Sequence, residues 1–352
     1  MKSLRRLGVT LVAGFAAVVV ASGSSRAADQ IGVSYQPSLY WALPFYYATQ
    51  QGWWKEVGLS PNFSTFPAGA PQIAAGASGS WDVGATGSVP AVLGAARFNI
   101  QTIGISNDES KTNALMATPK DYQAIKADPA KLKGQRILLT TNSTVDYATR
   151  NCLDKMGVKQ SDVQFVNLGQ AQIITAVTSG NGSIAGVWAP NTYTLQARAK
   201  AEYLCSGADA GAMVPGALIV TADYAKKSPQ NVAKFLAVYL RGWSWAKAHP
   251  AEAQKMALAF YKEGGLEATP EAMEQEFKLR PVYSLDEELK LMDNSKGSSE
   301  VDVWFSNIGK YMTSVNTLSS NPDPKSYITD KYMKMIAADP KLRAFATEFD
   351  KK

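Results

Sequence analysis

Short apolar segments alternate with amphipathic segments along most of the chain. Residues 31–35 are rich in β-branched and aromatic side chains, which is typical of a buried strand, and residues 43–55 carry apolar side chains at helical spacing. The same criteria predict further strands at 62–66, 82–85, 100–105, 137–139, 162–167, 184–188 and 217–221, and further helices at 70–78, 90–96, 145–156 and 171–179. Because strands that alternate with helices build parallel sheets covered by helices, we expect an α/β fold.

The C-terminal part of the chain has a different pattern. Amphipathic segments with charged outer faces predict helices at 229–248, 250–261, 270–278 and 298–315. A chain of 352 residues is longer than a single core usually supports, so we expect two lobes. The pattern assigns residues 28–116 to the first part of lobe I, 117–214 to lobe II, and 215–352 to the return into lobe I with the C-terminal helices.

Residues 1–27 predict a secretory signal peptide. An apolar run from Leu7 to Ala21 follows a basic start, and Ser25 and Ala27 place small side chains before a cleavage site. The run is shorter than the roughly 20 residues that span a bilayer, which favours a signal peptide over the alternative, an uncleaved membrane anchor. We therefore expect export to the periplasm.

The net charge of +6 is partly a property of this N-terminal segment. Four basic residues and no acidic ones lie within it, so its removal leaves 6 − 4 = +2. A small positive charge gives little support to a nucleic-acid partner, and we expect none. We expect a monomer.

Residues that carry common catalytic or metal chemistry are scarce. His249 is the only histidine, and with two distant cysteines it cannot form a zinc site. The sequence contains no phosphate-binding loop, no dinucleotide fingerprint and no serine nucleophile elbow. We therefore expect no cofactor, no metal and no catalysis, although Asp108 and Glu109 leave open a secreted enzyme with an acidic catalyst. Cys152 and Cys205 either form a disulfide or stay unpaired.

Two turns rich in glycine, serine, threonine and asparagine precede predicted helices. One is residues 86–88 and the other is residues 141–144. Free backbone N–H groups and the helix dipole at such positions bind anionic groups, although an ordinary helix cap is the alternative for each turn alone. Aromatic residues near these strand ends, among them Tyr40, Trp41 and Trp188, are suited to the walls of a ligand cleft; the alternative is plain packing in the core.

The ordered motifs of the chain resemble those of solute-binding proteins of nitrate, sulfonate and taurine ABC importers. These motifs are Tyr35-Gln36-Pro37, Gly52-Trp53-Trp54, Gly58-Leu59, Ala68-Gly69, Trp81-Asp82-Val83-Gly84, Leu132-Lys133-Gly134, Asp162-Val163 and Trp188-Ala189-Pro190. The resemblance implies a type II periplasmic binding protein, in which two α/β lobes are joined by crossing segments, here near residues 115–119 and 215–221. It also implies closure of the lobes around a small anionic or zwitterionic solute and delivery of that solute to a membrane permease.

The resemblance and the strand ends together give the candidate ligand residues. They are Gln36, Tyr40, Trp41, Thr86, Gly87, Ser88, Asn107, Asp108, Thr141, Asn142, Ser143 and Trp188. Asp108 is suited to bind an amine, which would favour a zwitterion such as taurine over nitrate; the alternative is a helix cap. A ligand-sensing partner of a membrane receptor is a further possible function of the same fold.

Related pyrimidine-synthesis enzymes share this domain, and the resemblance implies that they use a reactive histidine and a cysteine cluster with iron. A single histidine and two cysteines give that activity no support here.

Overall fold

The computed structural model describes residues 27–350. The predicted signal peptide therefore lies outside the described residues, apart from Ala27. Within the described range, no helix has both the length and the apolar character needed to span a membrane.

The first sheet has five strands in the order β2-β1-β3-β10-β4. The strands are β1 (Asp29–Tyr35), β2 (Leu59–Thr65), β3 (Val83–Gly87), β4 (Gln101–Asp108) and β10 (Pro215–Val220). Strand β1 is parallel to β2 and β3, whereas β10 runs antiparallel to both of its neighbours.

The second sheet also has five strands, in the order β7-β6-β8-β5-β9. The strands are β5 (Asn113–Ala117), β6 (Arg136–Leu139), β7 (Gln164–Asn167), β8 (Ile184–Trp188) and β9 (Glu202–Ser206). Strand β6 is parallel to β7 and β8, whereas β5 is antiparallel to β8 and β9. The α/β class is confirmed, but the sheets are mixed rather than wholly parallel, because β5 and β10, the strands that follow a passage between sheets, run in the opposite direction.

Sixteen helices occur among the described residues. They are α1 (Leu43–Gln51), α2 (Trp53–Glu56), α3 (Gly69–Ala77), α4 (Ser88–Phe98), α5 (Pro119–Ala127), α6 (Thr144–Lys155), α7 (Gln170–Thr178), α8 (Asn191–Ala199), α9 (Ala222–Lys227), α10 (Pro229–Ala248), α11 (Pro250–Glu263), α12 (Pro270–Leu279), α13 (Leu285–Leu291), α14 (Glu300–Ser314), α15 (Lys331–Ala338) and α16 (Pro340–Ala346). Short 3-10 turns lie at Tyr40–Ala42, Pro129–Leu132, Gln160–Asp162 and Pro324–Ser326.

Helix α10 is the centre of the larger core. Its predicted pattern has one apolar face, yet the run from Phe235 to Ala246 is buried without a break. The reason is that α1, α11, α15 and α16 all pack around it. The smaller cores of the second sheet lie on its two faces, beneath α5–α8.

The chain passes between the sheets at residues 109–112 and 207–214. These segments lie side by side, since the Glu109 N–H donates to the Val214 carbonyl at 2.8 Å and the Val214 N–H donates to Ser110 Oγ at 2.9 Å. Both passages come slightly earlier than the predicted crossings near 115–119 and 215–221, because residues 113–117 and 215–220 are already strands.

The two cysteines form a disulfide. Cys152 on α6 and Cys205 on β9 have Cα atoms 5.8 Å apart. Both side chains are buried. The bond ties α6 to an edge strand of the second sheet and decides between the two alternatives that the sequence left open.

Candidate functional site

A cavity lies between the two sheets, at the carboxyl ends of β1, β3 and β8. Its volume is about 30 Å³, room for about two water molecules. The lining residues are Gln36, Leu39, Trp41, Gly69, Gly87, Pro90, Glu109, Ser143, Thr144, Trp188 and Arg280. Strand ends between two sheets are where open α/β folds bind small ligands.

Arg280 supplies the cation of this cavity. The residue follows α12, and its side chain is 1% exposed. Its Nε atom donates to Thr112 Oγ1 at 3.0 Å, and its Nη2 atom donates to the Ala189 carbonyl oxygen at 2.9 Å. Among the described residues, its Nη1 atom has no hydrogen-bond acceptor. A buried guanidinium with N–H groups to spare is well suited to bind an anion.

Two buried carboxyl groups flank this guanidinium. Glu276 Oε2 lies 3.0 Å from Arg280 Nε, and Glu109 Oε1 lies 3.6 Å from Nη1. Burial raises the pKa of Glu276 to about 7 despite the opposing attraction of Arg280. Burial likewise raises the pKa of Glu109, while Arg280 and a hydrogen bond from the Trp41 indole act in the opposite direction.

The guanidinium itself remains charged. Burial alone would lower the pKa of Arg280, but the neighbouring carboxylates of Glu276 and Glu109 outweigh burial and raise it. The cluster therefore places two acidic groups around one permanent cation, and its carboxyl groups change charge more easily than its guanidinium.

Two helix N-termini meet at the cavity, one from each sheet. Gly87 caps α4, and Ser143 caps α6 with its hydroxyl accepting from the Asp146 N–H at 3.4 Å. The helices approach closely, since a Cβ atom on Gly87 would lie 2.6 Å from Thr144 Cγ2. Both helix dipoles thus contribute positive potential at the cavity.

A second, larger cavity opens beside the first. Its volume is about 180 Å³, and it shares Gln36, Leu39 and Trp188 with the smaller one. The remaining lining residues are Pro37, Ser38, Pro67, Gln170, Pro190, Asn191, Gly264, Gly265 and Leu266. None of these side chains is charged, so the two cavities together have a charged inner end and a neutral outer end.

Five of the sequence-predicted ligand residues line the inner cavity: Gln36, Trp41, Gly87, Ser143 and Trp188. They come from both sheets and from segments far apart in sequence. The structure thus brings together Gly87 from the first predicted turn, Ser143 and its neighbour Thr144 from the second, and two of the predicted aromatic walls.

Three predicted residues lie behind the cavity wall. Tyr40 is buried, stacks on Trp243 with ring centres 4.6 Å apart, and faces the Arg280 guanidinium at 5.6 Å. Thr86 Oγ1 accepts a hydrogen bond from Gln36 Nε2 at 3.4 Å. Ser88 is fully buried. Tyr40 and Thr86 thus contact two side chains that line the cavity, Arg280 and Gln36.

Asn107 and Asp108 do not line the cavity. The Asn107 side chain is buried and accepts from the Ser106 hydroxyl at 3.0 Å. Asp108 accepts from the Ser110 N–H at 2.8 Å, which is a local turn contact. The carboxylate that lines the cavity is that of the next residue, Glu109.

Thr141 and Asn142 also lie outside the cavity lining. The Thr141 N–H donates to Asn167 Oδ1 at 3.0 Å. Asn142 has a positive φ of 57°, and its Oδ1 accepts from Thr317 Oγ1 at 2.8 Å. Asn142 therefore contacts the loop after α14, which packs on the first sheet.

Arg280 was not identified from the sequence, where Arg150, on the helix that follows the turn at 141–144, is the clearest arginine near the predicted turns. Arg150 pairs with Asp146 at 2.7 Å and lies over the Phe165 ring, away from the cavity. A sequence signal for Arg280 exists: Glu276 falls on the same face of α12 as buried Met273, and Arg280 directly follows the helix, four residues after Glu276. Charged residues on a buried helix face are uncommon and mark candidate sites.

His249 has a structural position between two helices. Its Nδ1 atom lies 3.0 Å from the Trp245 carbonyl oxygen, and its ring stacks on Trp245. Over residues 27–350, no group of three or more histidine, cysteine, aspartate or glutamate residues is placed to hold a metal ion.

Comparison with known proteins identifies the family. The sequence profile of the family described as "NMT1/THI5 like" matches residues 27–253. A putative aliphatic sulfonates-binding protein of Bacillus subtilis is 26% identical over 239 residues, which cover 66% of this chain and 70% of that protein. The taurine-binding periplasmic protein of Escherichia coli is 30% identical over 185 residues, which cover 51% of this chain and 56% of that protein.

Solved structures share the fold at low sequence identity. The periplasmic aliphatic sulphonate binding protein SsuA from Escherichia coli superposes with a TM-score of 0.69 and 18% identity, covering 87% of this chain and 99% of that one. The periplasmic nitrate-binding protein NrtA from Synechocystis PCC 6803 has a TM-score of 0.69 and 13% identity, with 91% of each chain covered. The chain therefore belongs to the NMT1/THI5-like family and has the fold of periplasmic binding proteins.

Proposed function

We propose that this chain is the extracytoplasmic solute-binding protein of an ABC importer, active as a monomer in the periplasm. It captures a small anionic or zwitterionic organic solute of the sulfonate or taurine type and delivers it to a membrane permease. The observation that carries the proposal is the buried Arg280 guanidinium, with an unused N–H group, in a cavity between two sheets. The names of the sulfonate- and taurine-binding relatives agree with it.

The two sheets with their helices are the two lobes that close on the ligand. The paired segments 109–112 and 207–214 connect them and form the hinge. The inner cavity, at about 30 Å³, is too small to admit an organic solute from outside without movement of its walls. A ligand that contacts both walls stabilises the closed form and shifts the population toward it.

The acidic group of the solute binds at the inner end. There Arg280 Nη1 offers a donor, and the N-termini of α4 and α6 add positive potential from both lobes. Glu109 lies within the same lining and is suited to accept a hydrogen bond from an ammonium group. A zwitterion therefore balances both charges of the inner cavity.

The rest of the solute extends into the neutral outer cavity. Trp188 and Leu39 border both cavities and provide apolar surface for a short carbon chain. Such a division, with the charge held inside and the apolar part near the opening, is typical of small-molecule sites.

Isothermal titration calorimetry with taurine and ethanesulfonate tests the proposal. We expect the parent protein to bind at least one of them and Arg280→Met to lose at least about a hundredfold in affinity, since a charge-assisted hydrogen bond and a buried ion partner are both removed. Arg280→Lys, which keeps the charge but loses the forked donor geometry, should retain part of the affinity.

Arg241→Met is the matched control. Arg241 is also buried and ion-paired, with Glu348 at 2.6 Å, but it lies over Trp53, and neither Arg241 nor Trp53 lines the inner cavity. This variant should lose stability and keep its ligand affinity. Three outcomes would each contradict the proposal. They are that neither ligand binds, that the Arg280 variants bind as tightly as the parent, or that the protein chemically converts the ligand.

A further inference from the structure

The contact between Asn142 and Thr317 joins the two lobes at a point outside the ligand cavity. Thr317 lies in the loop after α14, and its hydroxyl donates to Asn142 Oδ1 at 2.8 Å. Its carbonyl oxygen accepts from Arg97 Nη2 on α4 at 2.9 Å, which fixes the loop to the first lobe. Asn142 is fixed to the second lobe, because its N–H donates to Asp146 Oδ2 at 3.0 Å.

A ring pair continues this contact along α6. Tyr311 on α14 packs against Tyr147 on α6 with ring centres 5.1 Å apart. Both side chains are at least nine-tenths buried. We call the Asn142–Thr317 hydrogen bond and the Tyr147–Tyr311 ring pair the rim contact.

The rim contact and the ligand cavity share one structural element. Asn142 directly precedes Ser143 and Thr144, which line the inner cavity at the N-terminus of α6. Any movement of α6 away from the cavity must therefore break the rim contact. The first turn of α6 is held from outside the cavity by Thr317 and faces the ligand on the inside.

We infer that Thr317 is a positioning residue for the ligand site: through Asn142 it holds the first turn of α6 in place and favours the closed arrangement of the lobes. The inference rests on the proposed function. Because the contact touches no part of the ligand, it raises the affinity for every ligand by the same factor. That factor is the change in the population of the closed form.

The test compares Thr317→Val with Thr313→Val. The first variant loses the donor to Asn142 and keeps nearly the same side-chain shape. The second makes the same chemical change on α14, where the Thr313 hydroxyl, within residues 27–350, bonds only to its own helix at the Gly309 carbonyl, 2.9 Å away.

Amide hydrogen exchange in the absence of ligand gives the first readout. We expect residues 141–147 to exchange about fivefold faster in Thr317→Val, the factor that corresponds to one ordinary hydrogen bond, and at the parent rate in Thr313→Val. Equal exchange in all three proteins would overturn the inference.

Calorimetry gives the second readout, which a purely structural role would not move. Taurine and ethanesulfonate should each bind about fivefold more weakly to Thr317→Val, by the same factor for both. Faster exchange with unchanged affinity, or a loss that differs between the ligands, would overturn the positioning role. If the parent binds neither ligand, the proposed function fails, whereas the exchange comparison still decides whether Thr317 holds α6.

Discussion

Replacing Glu288 by glutamine removes a buried carboxyl group that the first sheet uses as a hydrogen-bond acceptor. The Glu288 side chain on α13 is 1% exposed, and its two oxygens accept from the Ile105 N–H of β4 at 3.0 and 3.1 Å. Burial raises the pKa of Glu288 to about 8, although the hydrogen bond from Ile105 acts in the opposite direction. Glutamine keeps an acceptor for this N–H group and has no proton to lose.

The raised pKa makes the stability of the parent depend on pH. In the unfolded chain the carboxyl returns to its ordinary pKa of 4.5, so between pH 4.5 and 8 the native state holds a proton that the unfolded state has released. The contribution of Glu288 to the free energy of unfolding is thus fully present below pH 4.5 and is lost as pH rises toward 8. One proton corresponds to about 1.4 kcal/mol per pH unit, so the parent loses about 3 kcal/mol relative to the variant between pH 5 and 7.

Urea unfolding followed by tryptophan fluorescence at pH 5, 6, 7 and 8 measures this difference. The free energy of unfolding of Glu288→Gln minus that of the parent should rise with pH by up to about 1.4 kcal/mol per unit. Glu276 contributes a slope of its own to both proteins and cancels in the difference. Glu274→Gln, at an exposed position on α12, is the control, and its free energy of unfolding should change with pH as that of the parent does. A difference that stays constant from pH 5 to 8 would refute the reasoning.

Two further predictions concern the disulfide and the contact between Gly87 and Thr144. Replacing both Cys152 and Cys205 by alanine should lower the free energy of unfolding by about 4 kcal/mol, because the disulfide closes a loop with a sequence separation of 53. Urea unfolding measures this loss, and a urea midpoint equal to that of the parent would contradict the prediction. Gly87→Ala should weaken taurine binding about tenfold in calorimetry, because its Cβ would lie 2.6 Å from Thr144 Cγ2 and push α6 outward, a crowding cost of about 1–3 kcal/mol. Adding Thr144→Ser to Gly87→Ala removes that methyl group and should restore the affinity for taurine. If the double variant does not recover, crowding between Gly87 and Thr144 is not the cause.

Local sequence signals were sufficient for most elements of the fold. The long helix at 229–248 occupies the predicted residues, and β1 and β8 lie where their apolar runs indicate. These elements depend on side-chain periodicity and on residues that begin or end helices, which act over one or two turns of chain. Strands β5 (NALMA) and β9 (EYLCS) were not predicted, because neither segment contains a β-branched residue, whereas the equally short β8 (IAGVW) contains two.

The candidate site was only partly predictable for the same physical reason. The turns at 86–88 and 141–144 were identified because helix N-termini have a characteristic local composition. Which residue of each turn faces the cavity was not, and Asn142 instead contacts Thr317 in a different lobe. Which residue of each turn faces the cavity depends on how α4 and α6 approach each other.

The sequence by itself determined the α/β class, the identity of most strands and helices, and the positions of the two turns that begin α4 and α6, because each of these depends on residues close together in the chain. Only the tertiary structure decided that Arg280 lies beside Glu109 in the inner cavity, that the sheets are mixed, and that Cys152 meets Cys205. A periodic pattern shows which face of a helix is buried but not what it is buried against. A charged residue such as Arg280 acquires its role only when the topology brings distant segments to one cavity, where burial and the neighbouring charges set its chemistry.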